Sequence, residues 1–171
     1  LPSNLAALQG EQRGTNNPTA IFGRTDFILN PKNTLNVQYT YTRFRGENFN
    51  FDNPRQDTAV EANYTRENSS NGVKGSLVTV FSPQVINEIR SQFATDNRLE
   101  EPNTTAGQGV VVGFGTLGGD RGRPRLFETT RFQLTNNLSY DAGRNNLRFG
   151  FDANLNRVRQ QRESNTTPRF D

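Results

Sequence analysis

Cysteine, histidine, methionine and tryptophan are all absent from this chain of 171 residues. Without cysteine there is no disulfide framework, no zinc–thiolate site and no thiol nucleophile. Without histidine the commonest general base and metal ligand is missing, which excludes serine–histidine triads and two-histidine metal sites. Carboxylate-only chemistry survives that elimination. However, the adjacent Glu100 and Glu101 and the scattered Asp57, Glu61, Glu67 and Asp96 fall in no spacing that sets a general acid opposite a nucleophile. The expectation is a protein that is not an enzyme, with no catalytic residue, no metal site and no cofactor.

Apolar residues are scarce as well. They make up 31% of the chain, against roughly 45–50% in ordinary globular domains. No apolar run approaches the roughly 20 residues that a membrane helix needs, and no stretch reads as a signal peptide. With no Met anywhere in it, the chain is expected to be processed or truncated. Two classes tolerate so little apolar content: disorder, and a β structure with one apolar and one wet face. Thirteen Phe and four Tyr count against disorder. Twenty basic and 17 acidic residues are interleaved along the chain, so a net charge of +3 does not by itself support a nucleic-acid or other polyanion partner.

What the chain does have is two-fold alternation. Residues 1–20 read as an irregular lead-in ending in the turn cluster Asn16-Asn17-Pro18. In Thr34–Arg45, Leu35, Val37, Tyr39 and Tyr41 share one face and Asn36, Gln38, Thr40 and Thr42 the other. Ile21–Asn30, Asp57–Arg66, Val73–Phe81, Glu128–Tyr140 and Asn146–Val158 also read as strands. Glu67–Gly72, closing on Asn71-Gly72, carries a hairpin cue. Val85–Arg98 fits both a helical and a strand pattern, and its short connections and β neighbours favour strand. Residues 99–127, with seven glycines, read as the longest loop, with a short strand at Val110–Val112. Residues 159–171 read as a polar tail.

The expected fold is therefore all-β: an antiparallel meander of about seven long strands over residues 21–158, forming part of a transmembrane β-barrel. A soluble β-sandwich would share the alternation, and Asn136, on the apolar face of its strand, speaks for it. Three features favour the barrel. The polar faces are rich in Asn, Gln, Thr and Ser, with lysine only at Lys32 and Lys74. The apolar faces stay uncharged for four or five successive positions. Tyr39, Tyr41, Phe44 and Tyr140 are expected near strand ends, where aromatic girdles lie.

Two short motifs invite other readings. Arg121-Gly122-Arg123-Pro124-Arg125 matches the core of an AT-hook, which inserts arginines into a narrow minor groove. No other basic cluster accompanies it, and an arginine-rich loop is the preferred reading. Gly113–Asp120 superficially resembles a phosphate loop but lacks its GK[ST] ending and a following helix.

Phe22-Gly23-Arg24-Thr25-Asp26-Phe27 followed by Asn33-Thr34-Leu35-Asn36-Val37-Gln38-Tyr39-Thr40 resembles the opening barrel strands of TonB-dependent outer-membrane receptors. Phe81-Ser82-Pro83-Gln84-Val85-Ile86-Asn87-Glu88-Ile89-Arg90 is similar to a strand start of the Oar-like, carboxypeptidase-regulatory-like subgroup. Arg131–Tyr140 followed by Gly143–Asp152 is similar to one of its hairpins, with Asn145 where that subgroup often has His. The likeness covers about residues 21–158. It implies a bacterial outer-membrane location, contact with membrane lipid, a small nutrient ligand, and energy coupling to the TonB system through a plug domain. No plug or TonB-box segment is found in these residues, and the end at Phe170-Asp171 lacks the terminal aromatic of a final strand. The expectation is a segment of a larger barrel, with no ligand-binding residue assigned. The alternative is an extracellular structural or adhesive β protein that self-associates through its strand edges.

Overall fold

The structure, a computed structural model, describes residues 13–49, 59–111, 115–162 and 169–170. In chain order the strands are β1 (Asn17–Asn30), β2 (Asn33–Phe49), β3 (Tyr64–Ser82), β4 (Val85–Pro102), β5 (Gln108–Val111), β6 (Gly115–Leu117), β7 (Arg125–Asp141), β8 (Asn146–Arg162) and β9 (Arg169–Phe170). Six of them form one open antiparallel sheet in the order β1-β2-β3-β4-β7-β8. A second sheet, in the order β6-β5-β9, lies within the loop that joins β4 to β7, with β9 added to it from the C-terminal end. The fold is all-β, as the alternation implied, and Val85–Arg98 lies within a strand. The short strand expected at Val110–Val112 is β5, with Val112 outside the described residues.

Several boundaries differ from the expected ones. Glu67–Gly72 is no turn: it runs through the middle of β3, which is 19 residues long. Asn71 pairs with Tyr41 on one side and Thr95 on the other, and Gly72 with Thr40 and Ala94. Two long neighbouring strands outweigh the local turn preference of Asn-Gly. The turn expected at Asn16-Asn17-Pro18 is also absent, since Asn17 and Pro18 open β1. Proline is tolerated there because β1 pairs on one side only, among the described residues. Residues 159–162 belong to β8 rather than to a tail. β2 extends to Phe49, and β4 to Pro102, past the strand ends read from the alternation. The strand expected at Asp57–Arg66 instead begins at Tyr64, after a 3-10 turn at Val60–Ala62. That turn is held by Ala62 N–H to Ala59 O (3.0 Å), while Ala59 N–H reaches across to Thr116 O (3.0 Å). Residues 1–12, 50–58, 112–114, 163–168 and 171 lie outside the described residues.

With β3 continuous, the connections alternate strictly. Pro31-Lys32, Pro83-Gln84 and residues 142–145 make short turns at one end of the sheet. Residues 50–63 and 103–124 make long connections at the other. The long strands are 14 to 19 residues each, well beyond the roughly 9–11 that cross a bilayer.

Register sorts the side chains into two faces. On one lie Ile21 and Phe27 of β1, Leu35, Val37, Tyr39 and Tyr41 of β2, Val73 and Leu77 of β3, and Ile89 and Phe93 of β4. Phe132, Leu134 and Leu138 of β7 and Leu147, Phe149, Phe151, Ala153 and Leu155 of β8 continue it. The opposite face is mainly polar, with Arg24, Asp26, Asn36, Gln38, Lys74, Ser76, Glu88, Arg90, Gln92, Gln133, Thr135 and Asp152, and it also carries Phe22, Ile28, Val78 and Ile86.

Candidate functional site

The apolar face is exposed, not packed into a core. Phe93 is 51% exposed, Phe151 56% and Leu155 68%. A row of exposed aromatic and branched side chains running across six strands needs an apolar solvent. On β8 it covers nine residues, Leu147 to Leu155 inclusive, which matches the roughly 9–11 of a bilayer-crossing strand. The band occupies the turn-side half only. Beyond Tyr41, Thr95 and Thr130 the same face carries Arg43, Arg45, Glu67, Asn97, Glu128 and Arg159.

This placement corrects the expected girdle. Tyr39 and Tyr41 lie mid-strand, because β2 continues well past the apolar band, and they mark the band's loop-side edge. Tyr140 stands at the turn-side edge. Phe44 lies on the polar face, so it takes no part in a girdle. Asn136, the residue that favoured a soluble protein, donates to Asn87 Oδ1 at 3.0 Å on the same face. Each amide thereby satisfies part of the other's hydrogen-bonding need where lipid offers none.

The polar face is a network of paired groups. Arg24 bridges Asp26 at 3.2 Å, and Asn36 donates to the same carboxylate at 2.6 Å. Arg90 bridges Glu88 at 2.7 Å, and Ser76 donates to Glu88 at 3.1 Å. Gln133 and Thr135 both donate to Asp152 at 2.8 Å. Among the described residues, this face has a hollow of about 460 Å³ toward the loops and another of about 400 Å³ in the turn-side half.

Among the described residues, the most deeply buried charge lies at the loop end of this face, beyond the apolar band. Glu100 is 0% exposed. Arg66 Nε donates to its Oε1 at 2.9 Å and Arg98 Nε to the same oxygen at 2.7 Å. Arg123 approaches Oε2 at 3.3 Å and Arg125 at 3.9 Å. Burial pushes the Glu100 pKa up, but the hydrogen bond and charge of Arg98, with the charges of Arg123 and Arg66, outweigh it and hold the group below its ordinary value. The Arg123 guanidinium stacks 3.3 Å from the centre of the buried Tyr64 ring, and that of Arg66 lies 4.3 Å from the Phe49 ring. Arg123 also bridges Asp120, whose Oδ1 accepts from Gly122 N–H at 2.7 Å. The loop is thus tied down through its own arginines. Arg123 and Arg125 of the AT-hook-like motif face an internal carboxylate, not a free surface. In the glycine-rich stretch, Gly115–Leu117 form β6 and Gly118 adopts φ +76°, which suits a sharp chain reversal, while Gly113 and Phe114 lie outside the described residues.

No ligand residue was assigned from the sequence, and the Glu100 cluster had no local signal. Its members come from β3, β4 and the 103–124 loop, and only the pairing register brings Arg66, Glu100 and Arg125 to one level. Among the described residues, no group of three or more Asp or Glu side chains is placed to hold a metal ion.

A family model described as an outer membrane beta barrel domain matches residues 2–171. No curated protein and no solved structure matches the chain.

Proposed function

Because the chain belongs to the outer membrane beta barrel domain family and so lies in the bacterial outer membrane, we propose that it forms part of the wall of a TonB-dependent receptor that imports a nutrient. The strict alternation of short turns with long connections carries this reading. Short turns belong on the periplasmic side of such barrels and longer loops outside. The 103–124 connection is not a slack tether, because it holds its own small sheet and is clamped to Glu100. A wall that rises far above the bilayer and carries a loop clamped at Glu100 suits capture of a scarce solute better than free diffusion. The apolar band contacts membrane lipid, and the exposed edges of β1 and β8 join further strands of the same barrel rather than other copies of the chain. The TonB system acts through a plug domain, and the wall itself binds and admits without catalysing a reaction.

The test is genetic. Deleting the gene and, separately, inactivating the energy-coupling protein should abolish uptake of the same compound across a panel of limiting nutrients. Uptake that persists without energy coupling would replace this reading with a passive pore.

A further inference from the structure

We infer that the larger hollow on the polar face is a binding site for a neutral saccharide of one or two rings. As the solute of transport, that ligand rests on the import reading above; as a binding site, the hollow stands by itself. Two successive levels of side chains build it. In the upper level Phe44 pairs with Asn68, Asn68 with Arg98, and Arg98 with Phe127. In the lower level Thr42, Ser70, Asp96 and Thr129 follow in the same strand order. The hollow they line holds about 460 Å³, within the roughly 300–1,000 Å³ of small-molecule sites.

Two phenylalanines, Phe44 and Phe127, stand at one level of this face, with polar side chains on the two strands between them. Neither faces the apolar band, since both have the parity of Asn68 and Arg98. Their strands are three intervals apart, which sets the two side chains about 14 Å apart at roughly 4.8 Å per strand. They frame the hollow from opposite sides.

Between them the uncommitted polar atoms are mostly acceptors. Asn68 Oδ1 is buried and accepts no hydrogen bond among the described residues. Asp96 forms no ion pair among the described residues, and the hydroxyls of Ser70, Thr42 and Thr129 both donate and accept. The strong donor at this level, Arg98, is turned to Glu100 at 2.7 Å. A matching ligand offers several donors at its edges and an apolar face to a ring. Sugars do both, through their hydroxyls and their C–H faces. An anionic ligand would meet the Asp96 carboxylate, and an aliphatic one would leave Asn68 Oδ1 unsatisfied. Directly above, Arg66, Glu100 and Arg125 share the next level and fix the upper wall.

The gene product purified in lauryldimethylamine oxide, a detergent without a sugar headgroup, allows a direct test with cellobiose and maltose by saturation-transfer NMR. Transfer to the sugar ring C–H protons is expected for at least one of the two. Phe44→Ala, Phe127→Ala and Asn68→Leu should each weaken binding about tenfold. Heat-modifiable gel migration confirms that each variant is folded. Failure of folded wild-type protein to bind either disaccharide overturns the site, as does unchanged binding in the Phe44→Ala/Phe127→Ala double variant. Energy-dependent uptake of another solute, with no sugar bound, removes this site and leaves the import reading. Sugar binding combined with uptake that ignores energy coupling does the reverse.

Discussion

Toward the turns, the outward face of the sheet carries Leu35, Val37, Leu77, Ile89, Leu134 and Phe151; toward the loops, the same face of the same strands carries Arg43, Glu67, Asn97, Glu128 and Arg159. The backbone ladder is continuous across that change, so hydrogen bonding does not distinguish the halves. What differs is the medium each half is built for. The turn-side half exposes its apolar side chains and relies on lipid to cover them. The loop-side half stands in water and builds its own interior, where Phe49, Tyr64, Ala62 and Glu100 are buried. A single set of strands thus has two sources of cohesion, one external and one internal.

The internal source breaks most sharply at Glu100. Glu100→Ala leaves Arg66, Arg98, Arg123 and Arg125 grouped without the carboxylate they face. Removing one partner from a buried ionic cluster costs about 3–5 kcal/mol. The loss should fall on the 103–124 loop, seen as rapid proteolysis there while the turn-side half keeps its resistance. Acid should act at the same point. Because the Glu100 pKa is lowered by folding from an ordinary 4.5, its contribution is complete above that value and is lost as pH falls through the lower folded-state value. An NMR titration following the Tyr64 ring, which packs under Arg123, should show the transition below pH 4.5 and lose it in Glu100→Gln. A Tyr64 signal that stays constant through acid would show that the cluster does not depend on the charge.

The external source is tested by moving an arginine along one strand. Arg43 and Val37 lie on the same face of β2. At Arg43 the charge is half exposed, and its nearest carboxylate oxygen, on Glu67, is 3.8 Å away. Val37→Arg places the same group within the apolar band, where an arginine on the lipid face costs about 2–4 kcal/mol. Arg43→Val should change stability by less than about 1 kcal/mol, since exposed ion pairs contribute little. Urea unfolding in lipid vesicles measures both. Equal effects would erase the boundary drawn at Tyr41.

A smaller effect separates lipid from protein as the surroundings of Asn136. Asn136→Leu alone removes the partner of Asn87 and should be close to neutral, its gain in apolar area offset by the amide left behind. The double variant Asn87→Leu/Asn136→Leu removes both polar groups and should stabilise the protein in vesicles by about 1 kcal/mol. Destabilisation of the double variant would mean that these positions do not face lipid.

Which parts were legible in the sequence follows from the range of the signal. Alternation is local, so Thr34–Arg45 and Asn146–Val158 could be read directly, and with them the fold class and the apolar face. The Glu100 cluster was not legible, because Arg66 and Glu100 are 34 residues apart and meet only through the β3–β4 register. Strand length was misjudged for a related reason. The polar residues from Gly46 onward, Asn48 among them, read locally as a loop, whereas β2 runs on to Phe49. The hairpin read at Asn71-Gly72 failed because a turn preference is local and the pairing that overrode it is not.

That last point also predicts the smallest change. If Asn71-Gly72 made a turn, replacing Gly72 would strain a positive backbone angle and cost stability. Within β3, Gly72 has no such angle, and an added Cβ would meet only the Ala94 Cβ, at 4.0 Å, an ordinary contact. Glycine inside a strand gives up more chain entropy on folding than alanine does and packs no side chain. Gly72→Ala should therefore stabilise the protein by about 0.4–1 kcal/mol, measured by urea unfolding alongside Val37→Arg. Gly143, at φ +77° in the turn between β7 and β8, is the matched control. Gly143→Ala should lower stability by at least as much, because the same methyl group enters a left-handed conformation there. A loss at Gly72 equal to that at Gly143 would return the residue to a turn and divide β3 in two.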